Sequence, residues 1–135
     1  MAVTGSRREA RERALGLCYE SEVRDLDVDA LIEEQPAPPD DYAVQLVRGV
    51  DAHHDDVDAL LRKFSEHWAL ERMPAVDRAV LRLAAYELGW EPDIPSAVVI
   101  SEAVELAKLY STKDSGRFVN GLLSRIAEEL RPATT

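Results

Sequence analysis

From Ala43 to Trp68 the apolar positions recur in alternating steps of four and three without a slip: Ala43, Val47, Val50, His54, Val57, Leu61, Phe64, Trp68. A 3.5-residue repeat places one side chain per turn on a single stripe of an α-helix, and it does not fit the two-residue alternation of a half-buried strand. The register passes straight through Gly49 and His53 and therefore predicts one long helix, in which Gly49 costs about 1 kcal/mol relative to alanine. His54 lies on this register and reads as a satisfied core or interface histidine.

The rest of the chain has the same period. Ser6 with Glu9 makes an S-x-x-E capping box, so a first helix starts at Arg7 and turns Ala10, Ala14, Leu17, Cys18 and Ser21 to one face. Asp27 caps a short second helix with Val28, Leu31 and Ile32 inward, and the run Pro36-Ala37-Pro38-Pro39 ends it, because proline removes an amide donor and clashes with the preceding turn. Pro74 opens another helix, with Asp77 near its positive end, Val76, Val80, Leu83, Ala84 and Leu88 inward, and Gly89 closing it. Ser96 and Val99 to Tyr110 form a further amphipathic helix. Asp114 is the expected N-cap of the last one, which buries Val119, Leu122, Leu123, Ile126 and Leu130 and stops before Pro132. Six to seven helices with no credible strand pair predict an all-α helical bundle, and 135 residues fit a single domain.

Several function classes are excluded on composition and spacing. No apolar run approaches the ~20 residues needed to span a bilayer. Met1 to Ser6 lead into Arg7, Arg8, Arg11 and Arg13 with no apolar stretch, which is not a secretory signal, so a cytoplasmic location is expected. Cys18, the one cysteine, rules out an intramolecular disulfide or thiolate metal cluster and reads as a core residue among Ala14, Leu15 and Leu17. His54 and His67 are too far apart along one helical face to clamp a metal, and adjacent His53 and His54 point apart. The scattered glycines make no phosphate loop, and Asp55-Asp56 and Glu128-Glu129 read as solvated helix faces. No catalytic residue, metal site or cofactor is expected, and the chain is not read as an enzyme.

Charge is regional. The net charge is -10, yet residues 20 to 58 alone hold 13 acids against Arg24 and Arg48, and the remaining residues are close to neutral. A polyanion is repelled by that segment but can meet a local basic face elsewhere. Arg7, Arg8 and Arg11 occupy neighbouring faces of the first helical turns, where the helix dipole also favours anions. Either they dock a phosphate backbone, or they pair with Glu9 and Glu12 and solubilise the helix. Tyr19 lies off the apolar stripe and offers a ring for base stacking. Phe118, beside Ser115-Gly116, is a second stacking platform or a packing residue; Asn120 fits a bond to a loop carbonyl, and Gly121 a close helix approach.

Four segments in this order resemble the NusB family of bacterial transcription antitermination factors: Arg7 to Leu15, Val76 to Leu88, Ile100 to Lys108, and Phe118-Val119-Asn120-Gly121-Leu122-Leu123. The resemblance spans nearly the whole chain. It implies two helical sub-bundles, about 6–70 and about 74–131, and no enzymatic activity. It also implies binding of boxA-type single-stranded RNA together with NusE, a small-subunit ribosomal protein, within the RNA polymerase antitermination complex on ribosomal RNA operons.

Carried over by position, the RNA-contacting residues are Arg7, Arg8, Arg11, Tyr19, Asp114 and Phe118, and Glu87 falls on the NusE-facing side. Ser101 stands where the family usually has Asn. Some members form homodimers that cover the RNA face. With about three phosphate contacts the salt dependence has a log-log slope of only about -2, and stacking on Tyr19 and Phe118 adds about 1–3 kcal/mol each. Two alternatives compete: a helical protein-protein adaptor using the acidic segment, and an RNA-binding module related to those preceding RNA methyltransferases. The end of the chain at Thr135, just past Pro132, leaves no room for a methyl-donor domain.

Overall fold

The computed structural model describes residues 6–65 and 68–132; the side chain of Ser6, one half of the expected capping box, and His67 lie outside the described part. Within it are seven α-helices: α1 (Ser6–Arg24), α2 (Val28–Glu34), α3 (Asp41–Ala52), α4 (His54–Phe64), α5 (Ala75–Trp90), α6 (Ser96–Tyr110) and α7 (Lys113–Leu130). A 3₁₀ turn, Leu70–Arg72, joins α4 to α5, and there is no strand among the described residues. None of these helices is long and apolar enough to cross a membrane.

Helix α5 is the centre of the bundle. Ten of its sixteen residues are buried, far more than the single stripe of a surface helix, so it must be covered on most sides. Helices α1, α3, α4, α6 and α7 all pack on it, while α2 lies against α1 and α3. The expected cap of α2 is present: Asp27 Oδ2 accepts from the Ala30 amide at 3.2 Å.

The uninterrupted repeat from Ala43 does not make one helix. It divides at His53, whose backbone (φ -109°, ψ 21°) has left helical geometry, although hydrogen bonds continue across the joint from the His53 amide to Gly49 (3.0 Å) and from the Val57 amide to His53 (2.8 Å). The cause lies on α5. The Tyr86 ring rests on the bare backbone of Gly49, where an added Cβ would stand 2.2 Å from Tyr86 Cζ. The His53 ring stacks on Trp90 at 4.5 Å and on Tyr86 at 5.9 Å. The bend also overturns a core placement of His54, whose side chain is half exposed. Asp58 is buried instead, held by Arg82 through two hydrogen bonds of 2.8 and 3.0 Å.

Two helix-end expectations and one helix-contact expectation are corrected. Gly89 does not close α5, which runs to Trp90, because Arg131 supplies the cap from a distance. Its guanidinium donates to the carbonyls of Glu87 (3.1 Å) and Leu88 (3.0 Å) in the last turn and of Glu91 (2.9 Å) just beyond it. Asp114 is not the N-cap of α7; Thr112 Oγ1 takes that place, accepting from the Ser115 amide at 3.0 Å. Gly121 meets no neighbouring helix, since a Cβ there would have nothing within 4 Å.

Glu22 ties α1 to α5, accepting from Arg78 Nη2 and from Arg82 Nη1 at 2.6 Å each. The Arg78 hydrogen bond, joined by that from Arg82 and opposed by burial, holds the Glu22 carboxyl below the usual carboxylate range. Its contribution is therefore complete above the unfolded-state value and is lost as pH falls through the folded one. Glu22→Gln is expected to lower the melting temperature at pH 7 and to shrink the loss of stability between pH 5 and pH 3; an unchanged acid limb would rule this out. Gly49→Ala should destabilise by about 1–3 kcal/mol through overpacking against Tyr86. Gly121→Ala should instead stabilise by about 0.5–1 kcal/mol as a helix-interior glycine with open space, both read from urea midpoints.

Candidate nucleic-acid interface

The three N-terminal arginines meet three different fates. Arg7 is exposed and its guanidinium lies 4.2 Å above the Tyr42 ring. Arg8, also exposed, makes a bidentate pair with Glu102 of α6, Nε to Oε1 at 3.0 Å and Nη2 to Oε2 at 2.7 Å. The partners are neither Glu9 nor Glu12. The hydrogen bond from Arg8 holds the Glu102 carboxyl below its ordinary value, against a smaller opposing effect of burial. A phosphate reaching Arg8 has to compete with a carboxylate already in place.

Arg11 and Glu87 are not surface residues. They are 5% and 2% exposed, and they bond to each other, Arg11 Nε to Oε1 at 3.0 Å and Nη2 to Oε2 at 2.9 Å. Tyr42 Oη donates to the same Oε2 at 2.7 Å. Burial, followed by this bond to Glu87, raises the Tyr42 phenol and keeps it protonated as a donor. The expected placement of Arg11 on RNA and of Glu87 on a partner is corrected on geometry: α5 carries Glu87 into the junction of α1, α3 and α5, where an ionised carboxylate needs a cation and further donors beside it.

The rings lie at the other end of α5. Helix α1 runs antiparallel to α5, with Arg11 opposite Glu87 and Glu22 opposite Arg78. Arg7 and Tyr19, twelve residues apart on one helix, are thus separated by about 18 Å. Tyr19 is 39% exposed and lines a groove of about 240 Å³ with Glu22, Asp25, Asp51, His54 and Arg82. Its immediate surroundings are acidic. Cys18 also lines this groove, and burial pushes its thiol up to about 12, so it is not a thiolate.

Phe118, in the second turn of α7, is half-buried and meets Trp68 edge-on, ring centroids 5.0 Å apart. Asp114 is exposed in the first turn. That turn is fixed to α5 by Ser115 Oγ, which donates to the fully buried Asp77 at 2.8 Å. With its one proton committed there, the Ser115 oxygen accepts from the hydroxyls of Ser111 and Thr112, each at 3.0 Å. Tyr19 and Phe118 therefore gather near the start of α5, Arg7 and Arg8 near its end, and one compact cationic, ring-bearing edge is not formed.

Tyr42, Glu102 and Ser115 escaped the sequence reading. Tyr42 had a weak signal, an aromatic directly after the proline run and Asp40-Asp41. Glu102 and Ser115 had none, since their partners lie 94 and 38 residues away. Among the described residues no group of three or more His, Cys, Asp or Glu is placed to hold a metal ion.

A model described as the NusB family matches residues 8–128. This chain belongs to the NusB family. It is 51% identical over 129 residues to the transcription antitermination protein NusB of Saccharopolyspora erythraea, covering 91% of this chain and 87% of that relative. It is 50% identical over 130 residues to that of Salinispora arenicola, covering 91% and 96%. Of solved structures, T. maritima NusB is similar with a TM-score of 0.86 at 40% identity, covering 98% of this chain and 96% of that one. A chain in the crystal structure of antitermination factors NusB and NusE in complex with dsRNA gives 0.80 at 28% identity, covering 94% and 99%.

In this NusB-family chain Arg11 is expected to act on stability first. Arg11→Ala strands Glu87 in the core and should cost about 3–5 kcal/mol, measured as a shift of the urea midpoint. An unshifted midpoint would show that the Arg11–Glu87 pair is not what joins α1 to α5.

Proposed function

We propose that this chain is an RNA-binding transcription antitermination factor that takes up boxA-type single-stranded RNA together with NusE, within the RNA polymerase complex transcribing ribosomal RNA operons. The observation that carries this reading is the likeness, along nearly the whole chain, to a protein crystallised with NusE and dsRNA. The reading assigns no catalytic step and no cofactor, and it places the protein in the cytoplasm, where transcription occurs. The two sub-bundles, about 6–70 and 74–131, meet along α5 in this reading, and the 3₁₀ turn Leu70–Arg72 between α4 and α5 supports a boundary there.

Each residue then has a task set by its surroundings. Arg7 and Arg8 take backbone phosphates, Arg8 by exchanging Glu102 for the incoming anion. Phe118 and Tyr19 stack bases, and Asp114 accepts hydrogen bonds from a base edge. Arg11 and Glu87 act from inside, fixing the helix that carries Arg7 and Arg8. The acidic segment suits NusE, a basic ribosomal protein: Asp25, Asp40, Asp41, Asp51 and Asp56 have no cation partner among the described residues.

Titration of a boxA-like RNA should show tighter binding when NusE is present. The double variant Arg7→Glu, Arg8→Glu should weaken RNA binding severalfold or more while leaving NusE binding in place. Equal RNA affinity with and without NusE would defeat the proposal. Intact binding of both ligands by the charge-reversed variant would favour a purely protein-binding adaptor.

A further inference from the structure

The way this chain uses its cations points to a second surface. It has sixteen Lys and Arg residues, and twelve of them are engaged within its own fold. Eight make ion pairs with carboxylates: Arg8, Arg11, Arg24 and Arg48 in the N-terminal part, and Arg62, Lys63, Arg78 and Arg82 beyond it. Arg13, Arg125 and Arg131 donate to backbone carbonyls, and Arg7 lies over Tyr42. Among the described residues four remain without such a partner: Arg72, Lys108, Lys113 and Arg117.

Three of those four line one groove. It has a volume of about 550 Å³, runs between α6 and the first turns of α7, and is formed by Val104, Lys108, Lys113, Gly116, Arg117 and Asn120, with no carboxylate in its walls. Such an arrangement works against the fold. Lys113 and Arg117 are like charges four residues apart on α7, and a cation in a first helical turn faces the unfavourable end of the helix dipole. Gly116 between them adds a steric device: the aliphatic stem of Lys108 crosses it so closely that a Cβ there would stand 3.0 Å from Lys108 Cγ. A bare glycine thus lets α6 bring a third cation up to the other two, in a protein of net charge -10.

We propose that this groove binds the sugar-phosphate backbone of single-stranded RNA, extending the path of the strand beyond Phe118. The inference rests on the RNA-binding reading above and adds Lys108, Lys113 and Arg117 as phosphate contacts. Charge complementarity selects a polyanion. Continuity selects RNA, since Arg117, which lines the groove, directly precedes Phe118 on α7. Asn120 supplies an amide donor and acceptor on the same wall for a ribose hydroxyl or base edge.

The test compares salt dependence of boxA-like RNA binding, with NusE present, for the wild-type chain, for Lys108→Gln/Lys113→Gln/Arg117→Gln, and for Arg7→Glu/Arg8→Glu. Each single-strand phosphate contact contributes about -0.7 to the log-log slope, so the triple glutamine variant should lose about 2 from it. Lys113→Arg with Arg117→Lys should retain the wild-type slope. A triple variant that keeps the wild-type slope, while Arg7→Glu/Arg8→Glu weakens binding, overturns the groove and leaves the RNA reading standing. A wild-type chain that binds no RNA overturns both. Loss of NusE binding without RNA in the triple variant assigns the groove to the protein partner and overturns the proposal as well. Thermal melting of each variant checks that these exposed substitutions leave the fold intact.

Discussion

Glu87 stands 2% exposed where α1, α3 and α5 converge. An ionised carboxylate in such a place persists only when donors surround it, and here they come from two other helices: Arg11 from α1 and Tyr42 from α3. Each donor fixes the helix that carries it. Arg11 sets the register of α1 along α5, and Tyr42 sets the start of α3 immediately after the proline run. Tyr42 serves twice, since its hydroxyl donates inward to Glu87 while its ring carries the Arg7 guanidinium. The outward direction of Arg7 and Arg8 thus follows from a charge pair that is almost wholly buried.

Polar links to other helices recur along α5. At its start Asp77, fully buried, is met by the Ser115 hydroxyl, which anchors the first turn of α7. In the middle Arg82 bridges Asp58 of α4 and Glu22 of α1. At its end Arg131 returns from the C-terminal side to satisfy the last carbonyls. Polar groups on one central helix therefore specify where its neighbours sit, while the apolar positions supply most of the burial. Buried polar links of this kind are poor sources of net stability beside hydrophobic packing, but they penalise every misregistered arrangement heavily.

Charge bookkeeping follows from that architecture. The acid-rich stretch from 20 to 58 places carboxylates around α2, α3 and α4, and the cations able to neutralise them are largely spent inside the molecule or on local pairs such as Arg48–Asp29 and Arg24–Glu34. The surface is left polarised: exposed acids on α2 to α4, and unpaired cations on the C-terminal half of α6 and the first turns of α7. A molecule of this kind presents faces of opposite sign, one suited to a basic protein and the other to a polyanion.

The period of the apolar residues determined the all-α architecture of six to seven helices, and the prolines at 36, 38, 39, 74, 92 and 95, with Asp27, marked most of the boundaries, because these signals act within one or two turns of backbone. Four ordered motifs carried the family. What the sequence left open was which exposed-looking charges would be drawn inside. A helical pattern tells which residues share a stripe but not which partner stripe they meet, and the carboxylate that claims Arg11 lies 76 residues away. The break at His53, the outward turn of His54, the cap supplied by Arg131 and the cationic groove across Gly116 share that cause. Each depends on contacts between helices distant in the chain, and only the packed bundle decides them.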